Sequence, residues 1–301
     1  MDKAKLSLFS AALGGLSSLV PPVAAAPTTF NTALPVSQGE VLLRAQTQFL
    51  RASEDPGPLD RELEVLVFPL VGVYGLTPRL ALFGIFPLLD KELEVNTPLG
   101  RQTREVSGLG DSTFLARYIV YWWDAPGETF RIAPFVGLEA PIGEDDERDA
   151  LGRLPQPLQL GSGSWDPLAG GVLTWQTLEW EFDASVSYQA NTEANEFEFG
   201  DVARLDMLYQ RRVGSFHWQG GVPHFLYAGL ESNLIWQDRS QIVGRNDPNS
   251  GGLTWFLAPG LQYITRRFVV EMAVQIPVVQ DLNGQALETD FNVILSFRMN
   301  F

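Results

Sequence analysis

The residue types that most often carry out chemistry in proteins are scarce in this chain. It contains no cysteine and only two histidines, His217 and His224. Neither a disulfide framework nor a thiolate metal centre is therefore available, and a histidine-rich metal site lacks ligands. No phosphate-binding loop and no G-x-G-x-x-G segment that opens a helix occurs. We therefore predict no cofactor and no metal centre.

One pair of residues has the spacing of a nucleophile and its base. In Ser215-Phe216-His217 the serine and histidine side chains project from one face of an extended chain, and Asn233 could orient the histidine. The pair falls in the connection 212–223, away from the outer leaflet that a lipid hydrolase would attack. Nothing in the sequence assembles the three side chains. We therefore predict that the chain is not an enzyme, and keep an outer-membrane hydrolase as a remote alternative.

An acidic run occupies residues 144–149, with the sequence EDDERD. Carboxylate oxygens are the ligands that Ca²⁺ prefers, but the run lacks the ordered spacing and the hinge glycine of a calcium-binding loop. Such charge runs are more often solvated surface. We predict a solvated loop here.

A different chemistry comes from charged side chains on the polar faces of alternating segments. They carry both signs, so they can pair with one another across neighbouring strands, as charges at membrane depth must. If the segments are strands that close into a barrel, a lumen lined by such groups would sort solutes by size and charge. The predicted lumen-lining residues are Arg44, Arg117, Arg131, Glu139, Asp183, Arg204, Asp206, Glu231, Glu271 and Arg298.

The segments that would position these side chains have a period of two. In 290–301, for example, an apolar residue alternates with a nearly always polar one, which is typical of a strand with two different faces. Runs 180–190 and 268–279 repeat the pattern strongly. Nine weaker runs bring the predicted number of strands to twelve: 40–51, 62–75, 79–89, 111–123, 129–141, 167–176, 201–211, 224–237 and 253–264.

The connections between these runs alternate in length. Four are tight turns (76–79, 124–127, 176–179 and 265–267), and 212–223 is a longer exception on the same side. The other connections are long: 52–61, 90–110, 142–166, 191–200, 238–252 and 280–289. This asymmetry is typical of a transmembrane barrel. We predict an all-β fold, a twelve-stranded antiparallel up-and-down barrel over residues 39–301, with short periplasmic turns and long extracellular loops.

Aromatic residues gather near the ends of the predicted strands, as in Tyr121-Trp122-Trp123 and around Trp175 and Trp180. Girdles of this kind are expected at the two membrane interfaces. A β-sandwich or a lipocalin-like barrel would also alternate polar and apolar residues. The girdles and the loop asymmetry favour the membrane barrel over these two soluble folds.

The N-terminus has the pattern of a secretory signal peptide. Lys3 and Lys5 precede the apolar run 6–20, and residues 23–26 offer a small-residue cleavage site. We predict a signal peptide over 1–26, a periplasmic segment over 27–38, and localisation in the outer membrane, in contact with its lipid and lipopolysaccharide. The net charge of −15 argues against binding to nucleic acid.

The chain ends on Phe301, at an apolar position of an alternating strand. A terminal phenylalanine in this setting resembles the signal that the outer-membrane assembly machinery reads. We therefore predict that this machinery is a partner and that Phe301 is its recognition signal.

Three short motifs carry a family resemblance: Gly108–Asp111 (GLGD) with Arg117 and Tyr118, Tyr74–Leu80 (YGLTPRL), and Leu158–Asp166 (LQLGSGSWD). With them the chain resembles an outer-membrane family named for the MetA pathway of phenol degradation. The resemblance implies a barrel that passes small molecules, including hydrophobic or aromatic ones.

The sequence leaves two interpretations of the interior open. A twelve-stranded barrel lies between the filled barrels of eight strands and the open channels of sixteen. The lumen is therefore either a narrow charged path for a small-molecule solute or a closed interior. In the second case the barrel is structural or adhesive, and the loops 90–110, 142–166 and 238–252 form its binding surface.

Overall fold

The computed structural model describes residues 26–98, 100–216, 224–265 and 268–300. These residues form a structure built almost wholly from β-strands. The strands are β1 (Val41–Ala52), β2 (Glu62–Gly75), β3 (Leu80–Thr97), β4 (Gly100–Leu109), β5 (Ser112–Tyr118), β6 (Tyr121–Ala125), β7 (Glu128–Ala140), β8 (Arg148–Asp149), β9 (Gly152–Arg153), β10 (Asp166–Thr177), β11 (Trp180–Gln189), β12 (Phe197–Glu198), β13 (Val202–Phe216), β14 (His224–Gln237), β15 (Gln241–Ile242), β16 (Arg245–Asn246), β17 (Gly252–Ile264), β18 (Phe268–Leu282) and β19 (Phe291–Asn300).

The sheet closes on itself because the first and last strands pair. β1 lies antiparallel to β19, with Leu42 opposite Asn300 and Arg51 opposite Phe291. The ring then runs β1–β2–β3–β5–β7–β10–β11–β13–β14–β17–β18–β19. β4 and β6 continue β5 at its two ends, pairing with β3 and β7 respectively. The predicted all-β fold, a closed twelve-stranded antiparallel barrel, is confirmed.

The prediction of a long loop over 90–110 is wrong in its secondary structure. β3 continues to Thr97 and turns back as β4, so most of this region is a β-hairpin that extends the barrel wall. Its outward residues are charged, as Glu92 and Glu105 are, whereas Leu93 and Val95 face inward. The many charged residues of 90–110 indicate a solvated loop, although inward and outward residues still alternate along this stretch.

Side-chain polarity is inverted relative to a soluble protein. Large apolar residues cover the outer surface, and Val136 is 63% exposed. Arginines lie inside, and Arg44, Arg117 and Arg298 are each at most 2% exposed. This distribution matches a barrel whose outer surface meets lipid and whose inner polar groups bond to one another. No helix in the described part of the chain is long and hydrophobic enough to cross a bilayer.

The inner surface is nevertheless divided into an apolar and a polar side. β2 between Val65 and Val73 and β3 between Leu80 and Leu89 are apolar on both faces, and they direct Val65, Val71 and Phe83 inward. The side of the ring from β11 through β13, β14, β17, β18 and β19 to β1 directs charged and amide groups inward. We call these two halves the apolar wall and the polar wall.

An aromatic belt surrounds the end of the barrel that carries the short turns. Ring centroids lie 5.0 Å apart between Trp175 and Trp180 and 6.4 Å apart between Trp180 and Tyr209. The belt extends in the other direction through Phe130 to Tyr121, at 6.4 and 6.0 Å. Rings with apolar faces and polar edges favour the membrane–water interface, so this short-turn end lies at one interface.

Placing a charge on the outer surface tests this orientation. Val136→Arg, near the middle of β7, should destabilise the barrel by ~2–4 kcal/mol, the cost of arginine at the bilayer midplane. Leu151→Arg, in an exposed loop, should change the unfolding free energy little. Urea unfolding in lipid vesicles, followed by tryptophan fluorescence, measures both variants. Equal stabilities would contradict lipid contact at Val136.

Candidate functional site

A segment at the start of the described chain lies inside the barrel. Residues 26–34 and Val36 are all buried, and we call 26–36 the N-terminal segment. The sequence-based expectation placed 27–38 in the periplasm; most of that stretch instead occupies the lumen. Its three threonines and one asparagine are equally suited to bonding with water, but side chains of the barrel wall make these hydrogen bonds instead.

Glu231 on β14 holds one part of this segment. Its carboxylate accepts the backbone N–H groups of Thr28 and Thr29 at 2.6 and 3.0 Å. On the other side of the segment, the carbonyl oxygen of Thr28 accepts hydrogen bonds from Arg44 and Gln46, each at 3.1 Å. Side chains of the wall therefore take the place of a neighbouring strand.

Arg117 on β5 holds the following part. Its guanidinium donates to the Asn31 side chain at 2.9 Å and to the carbonyl oxygens of Thr32 and Leu34. From β10, two strands further around the ring, the Thr174 hydroxyl accepts the N–H of Ala33 at 2.8 Å. Because these contacts come from side chains, the segment can leave without breaking a strand pair of the barrel.

Asp183 and the Thr32–Thr174 pair complete the attachment on β10 and β11. The two threonine hydroxyls lie 2.7 Å apart, and both donate to Asp183. Glu181 shares this wall and accepts from Gln210 at 2.9 Å. These carboxylates are buried, yet each has hydroxyl or amide donors, which buried polar groups require.

A second charged group joins β1, β18 and β19. Glu271 pairs with Arg44 at 2.8 Å and with Arg298 at 2.9 Å, and Arg44 also donates to Ser296 at 2.7 Å. All three charged side chains are at most 1% exposed. One carboxylate between two guanidiniums fixes the polar wall beside the N-terminal segment.

The remaining predicted lumen residues divide between the interior and the rim. Arg204 and Asp206 form a buried pair at 3.3 Å, and Glu139 is buried towards the end of the barrel that carries the long loops. Arg131 does not join them. It lies on the inward face of β7 opposite Thr174, but near the short-turn end, where it pairs with the exposed Asp124 at 2.7 Å.

Two further residues bind the N-terminal segment but carry no charge. Thr174 bonds to the segment as described, and the Gln262 amide donates to the carbonyl oxygen of Ala26. Selecting inward positions by charge overlooks them. Alternation along β10 and β17 would have found both, since they occupy inward positions of their strands.

The loop over residues 142–165, which we call the inner loop, folds into the long-loop end. Its Leu154, Leu158 and Leu160 are buried against the apolar wall. Lys91 on β3 donates its ammonium to the carbonyl oxygen of Gln159. The inner loop therefore narrows the lumen from one end while the N-terminal segment fills the middle.

Two of the motifs noted in the sequence meet at the base of the inner loop. Asp111 accepts the N–H and hydroxyl of Ser162 at 2.6 and 2.7 Å and the N–H of Gly143 at 3.0 Å. A Cβ atom on Gly161 would lie 2.4 Å from the carbonyl oxygen of Gly143, so only glycine permits this approach. The GLGD and LQLGSGSWD motifs together seat the inner loop.

The acidic run 144–149 is part of this loop and is partly neutralised by arginine. Asp149 accepts from Arg104 at 2.6 and 2.8 Å, and this hydrogen-bonded guanidinium lowers the pKa of the Asp149 carboxyl. Over the described ranges, no group of three histidine, aspartate or glutamate side chains is arranged to hold a metal ion.

The residues of the hydrolase alternative lie apart. Ser215 is exposed near the short-turn end of β13, and His217 lies outside the described residues. Asn233 is buried in the lumen, where it donates to Thr29 at 2.8 Å and to Asp206 at 2.9 Å. Asp206 is opposite Asn233, so at ~3.3 Å per residue the serine is roughly 30 Å further along the strand.

Several cavities of the described chain lie along the lumen. One, of about 100 Å³, lies beneath the inner loop at the long-loop end, and we call it the outer cavity. A second, of about 30 Å³, reaches Phe30 and Asn31 of the N-terminal segment. A third, of about 10 Å³, includes Thr28 and Glu231. The N-terminal segment therefore separates small spaces along one path.

Residues 62–275 match the family described as "Putative MetA-pathway of phenol degradation". The chain belongs to this family. No curated protein matches the chain. The match covers the strands from β2 into β18, and with them Glu231, Arg117 and the inner loop; the N-terminal segment and β19 lie outside it.

Solved structures give the same architecture for this family member. The COG4313 outer membrane channel from Pseudomonas putida F1 is 18% identical and superimposes with a TM-score of 0.67, over 89% of this chain and 98% of the channel. The two chains share their fold, an outer-membrane barrel.

Two other outer-membrane barrels superimpose less well. The translocator domain of the autotransporter NalP from Neisseria meningitidis is 8% identical, with a TM-score of 0.47 over 89% of this chain and 91% of that domain. A FadL homologue from Pseudomonas aeruginosa is 10% identical, with a TM-score of 0.37 over 97% of this chain and 98% of that protein. At these scores neither likeness supports a conclusion about this chain.

Removing the central carboxylate tests the charged group on the polar wall. Glu271→Gln leaves Arg44 and Arg298 buried without their anion, so it should destabilise the barrel by about 3–5 kcal/mol, as loss of one partner of a buried pair does. Glu92→Gln, on the exposed face of β3, is the matched control and should have little effect. Unfolding by urea in vesicles measures both; similar midpoints for the two variants would refute the role assigned to Glu271.

Proposed function

We propose that this barrel passes small molecules across the outer membrane, and that the N-terminal segment closes the path at rest. One observation carries the proposal: the segment occupies the lumen between cavities, yet the wall holds it through side chains. A permanent filling would gain more from strand pairing. Because the segment's hydrogen bonds to the wall come from side chains, its removal would break no strand pair and the barrel would stay closed.

The divided lumen suits small amphiphilic molecules, including aromatic ones. A solute moving along it would contact valine and phenylalanine side chains of the apolar wall and charged groups of the polar wall. The family's description refers to phenol degradation, and phenol combines an apolar ring with one polar group. The predicted lumen-lining residues other than Arg131 would contact or orient such a solute.

Export and assembly complete the proposal. We propose that residues 1–26 are removed as a signal peptide, which would end the contact between Ala26 and Gln262 and leave the N-terminal segment to begin at Pro27. We also propose that Phe301 is recognised by the outer-membrane assembly machinery, and that the outer surface contacts lipid and lipopolysaccharide. Residues 1–25 and Phe301 lie outside the described residues, so these assignments rest on the sequence pattern. The exposed apolar surface and the aromatic belt support the lipid contact.

A closed structural or adhesive barrel is the competing function. The filled lumen favours it, because both the inner loop and the N-terminal segment would then be permanent. The two functions differ in whether the segment must move for solutes to pass.

A reversible lock distinguishes them. The chain has no cysteine, and the Thr32 and Thr174 hydroxyls are adjacent, so Thr32→Cys with Thr174→Cys should form a disulfide that fixes the segment. Swelling of proteoliposomes in small amphiphilic solutes should cease when the double variant is oxidised and recover on reduction. Each single variant is the control. Swelling that is the same in the oxidised and reduced states would contradict closure by the segment.

A further inference from the structure

The outer cavity has two chemically different sides. Val67, Leu89, Leu160 and Phe199 supply an apolar surface. Polar groups from five separate parts of the chain also line the cavity. The charged members of this set are Lys91, Asp111, Glu139 and Asp166. A ligand that fits would have an apolar body and a polar end.

Most of these charged groups already have strong partners. Lys91 donates to the Gln159 carbonyl oxygen. Asp111 accepts from Ser162 and Gly143, as described above. Asp166 accepts from the N–H of Thr192 at 2.7 Å and the hydroxyl of Ser164 at 2.9 Å. These three side chains shape the cavity and hold its loops.

Glu139 is the least satisfied of the four. It is only 4% exposed, and the Thr113 hydroxyl donates to it at 3.4 Å, with the Gln189 side chain as a further partner. Both oxygens of a carboxyl group can accept hydrogen bonds, so Glu139 retains capacity for a ligand. A buried carboxylate in this state favours a donor at its side.

The charge around Glu139 selects among ligands. Asp166 lies directly opposite Glu139 on the paired strand, and Asp111 lines the same cavity. Three carboxylates therefore outnumber the one ammonium, Lys91, whose hydrogen bonds go to backbone carbonyl oxygens. A ligand carboxylate placed here would meet like charge in a partly buried site, whereas a hydroxyl or an ammonium would donate.

We propose that the outer cavity is a binding site for a small molecule with an apolar ring or short chain and one hydroxyl or amino group, which donates to Glu139, and that it rejects the corresponding carboxylate. A volume of about 100 Å³ limits the buried part to about one small ring. The inference deepens the proposed function and rests on it for its physiological meaning. Binding itself does not require passage.

Three probes with one ring and different polar ends test the site: benzyl alcohol, benzylamine and benzoate. The full chain in detergent is titrated calorimetrically with each, and the heat of empty micelles is subtracted. We expect saturable binding of the alcohol and the amine, and at least tenfold weaker binding of benzoate. Equal affinities, preference for benzoate, or no saturable binding would overturn the proposal.

Glu139→Gln tests the residue assigned to selection. It keeps the shape of the side chain and removes its charge, so benzylamine should bind at least tenfold more weakly and the discrimination against benzoate should shrink. Glu92→Gln, on the outer face of the strand that carries Lys91, should retain the wild-type pattern. Unchanged affinities in Glu139→Gln would contradict the role of Glu139. If this variant does not fold, the comparison of the three probes on the wild-type chain decides.

The same probes separate this inference from the proposed function. Selective binding without swelling of wild-type proteoliposomes would refute passage and leave the binding site standing. Swelling that is equally fast in benzyl alcohol, benzylamine and benzoate, with no selective binding, would support passage and refute the site.

Discussion

The fold depends on one constraint: polar groups inside the barrel have to bond to each other, because the lipid outside offers them no partner. The outer surface is covered by residues such as Val136 and Leu295, and the buried arginines and carboxylates, such as Arg44 and Glu271, are directed inward. Inside, an unpaired charge would cost several kcal/mol. The polar wall meets this requirement in two ways, by pairing its own charges, as Arg44, Glu271 and Arg298 do, and by bonding to the backbone of the N-terminal segment.

This second solution links stability to function. Glu231 and Arg117 both bond to backbone groups of the segment, so they hold it and have hydrogen-bond partners in it. If the segment is removed, the side chains of Glu231 and Arg117 must bond to water instead. Their exposure costs little free energy in a water-filled lumen and much in a dry one. The apolar wall has no such need, since its valines and phenylalanines pack against each other and against the inner loop. The apolar part of an amphiphilic solute would contact the apolar wall, and its polar part would contact the polar wall.

Much of this architecture follows from the sequence. The alternation in Phe291–Asn300 and the tight turns between strands predict the barrel, because a strand that separates lipid from polar groups must have a period of two. The inward direction of Arg44 and Glu271 follows from the same rule. On β2 the rule gives no direction, since apolar residues such as Leu66 and Val67 occupy both faces.

Other features could not be predicted in this way. Residues 27–38 have no periodicity, and their polarity fits water as well as a hydrogen-bonded lumen. The hairpin at 90–110 was not predicted, because its outward residues are charged and resemble those of a solvated loop. In the sequence, the inner loop is recognisable only as a stretch rich in glycine and serine. No local pattern links the inner loop to Asp111. Their contact becomes evident only in the structure, where the GLGD and LQLGSGSWD motifs, distant in sequence, lie side by side.

The central claim is that the N-terminal segment, and not the barrel wall, closes the lumen. Single-channel recording in planar bilayers, comparing the full chain with a variant that lacks residues 28–36, tests it most directly. The account predicts stable, discrete conductance in the variant at voltages where the full chain is mostly closed, with an unchanged β-sheet circular dichroism spectrum. A variant that folds equally well and conducts no more than the full chain would contradict it.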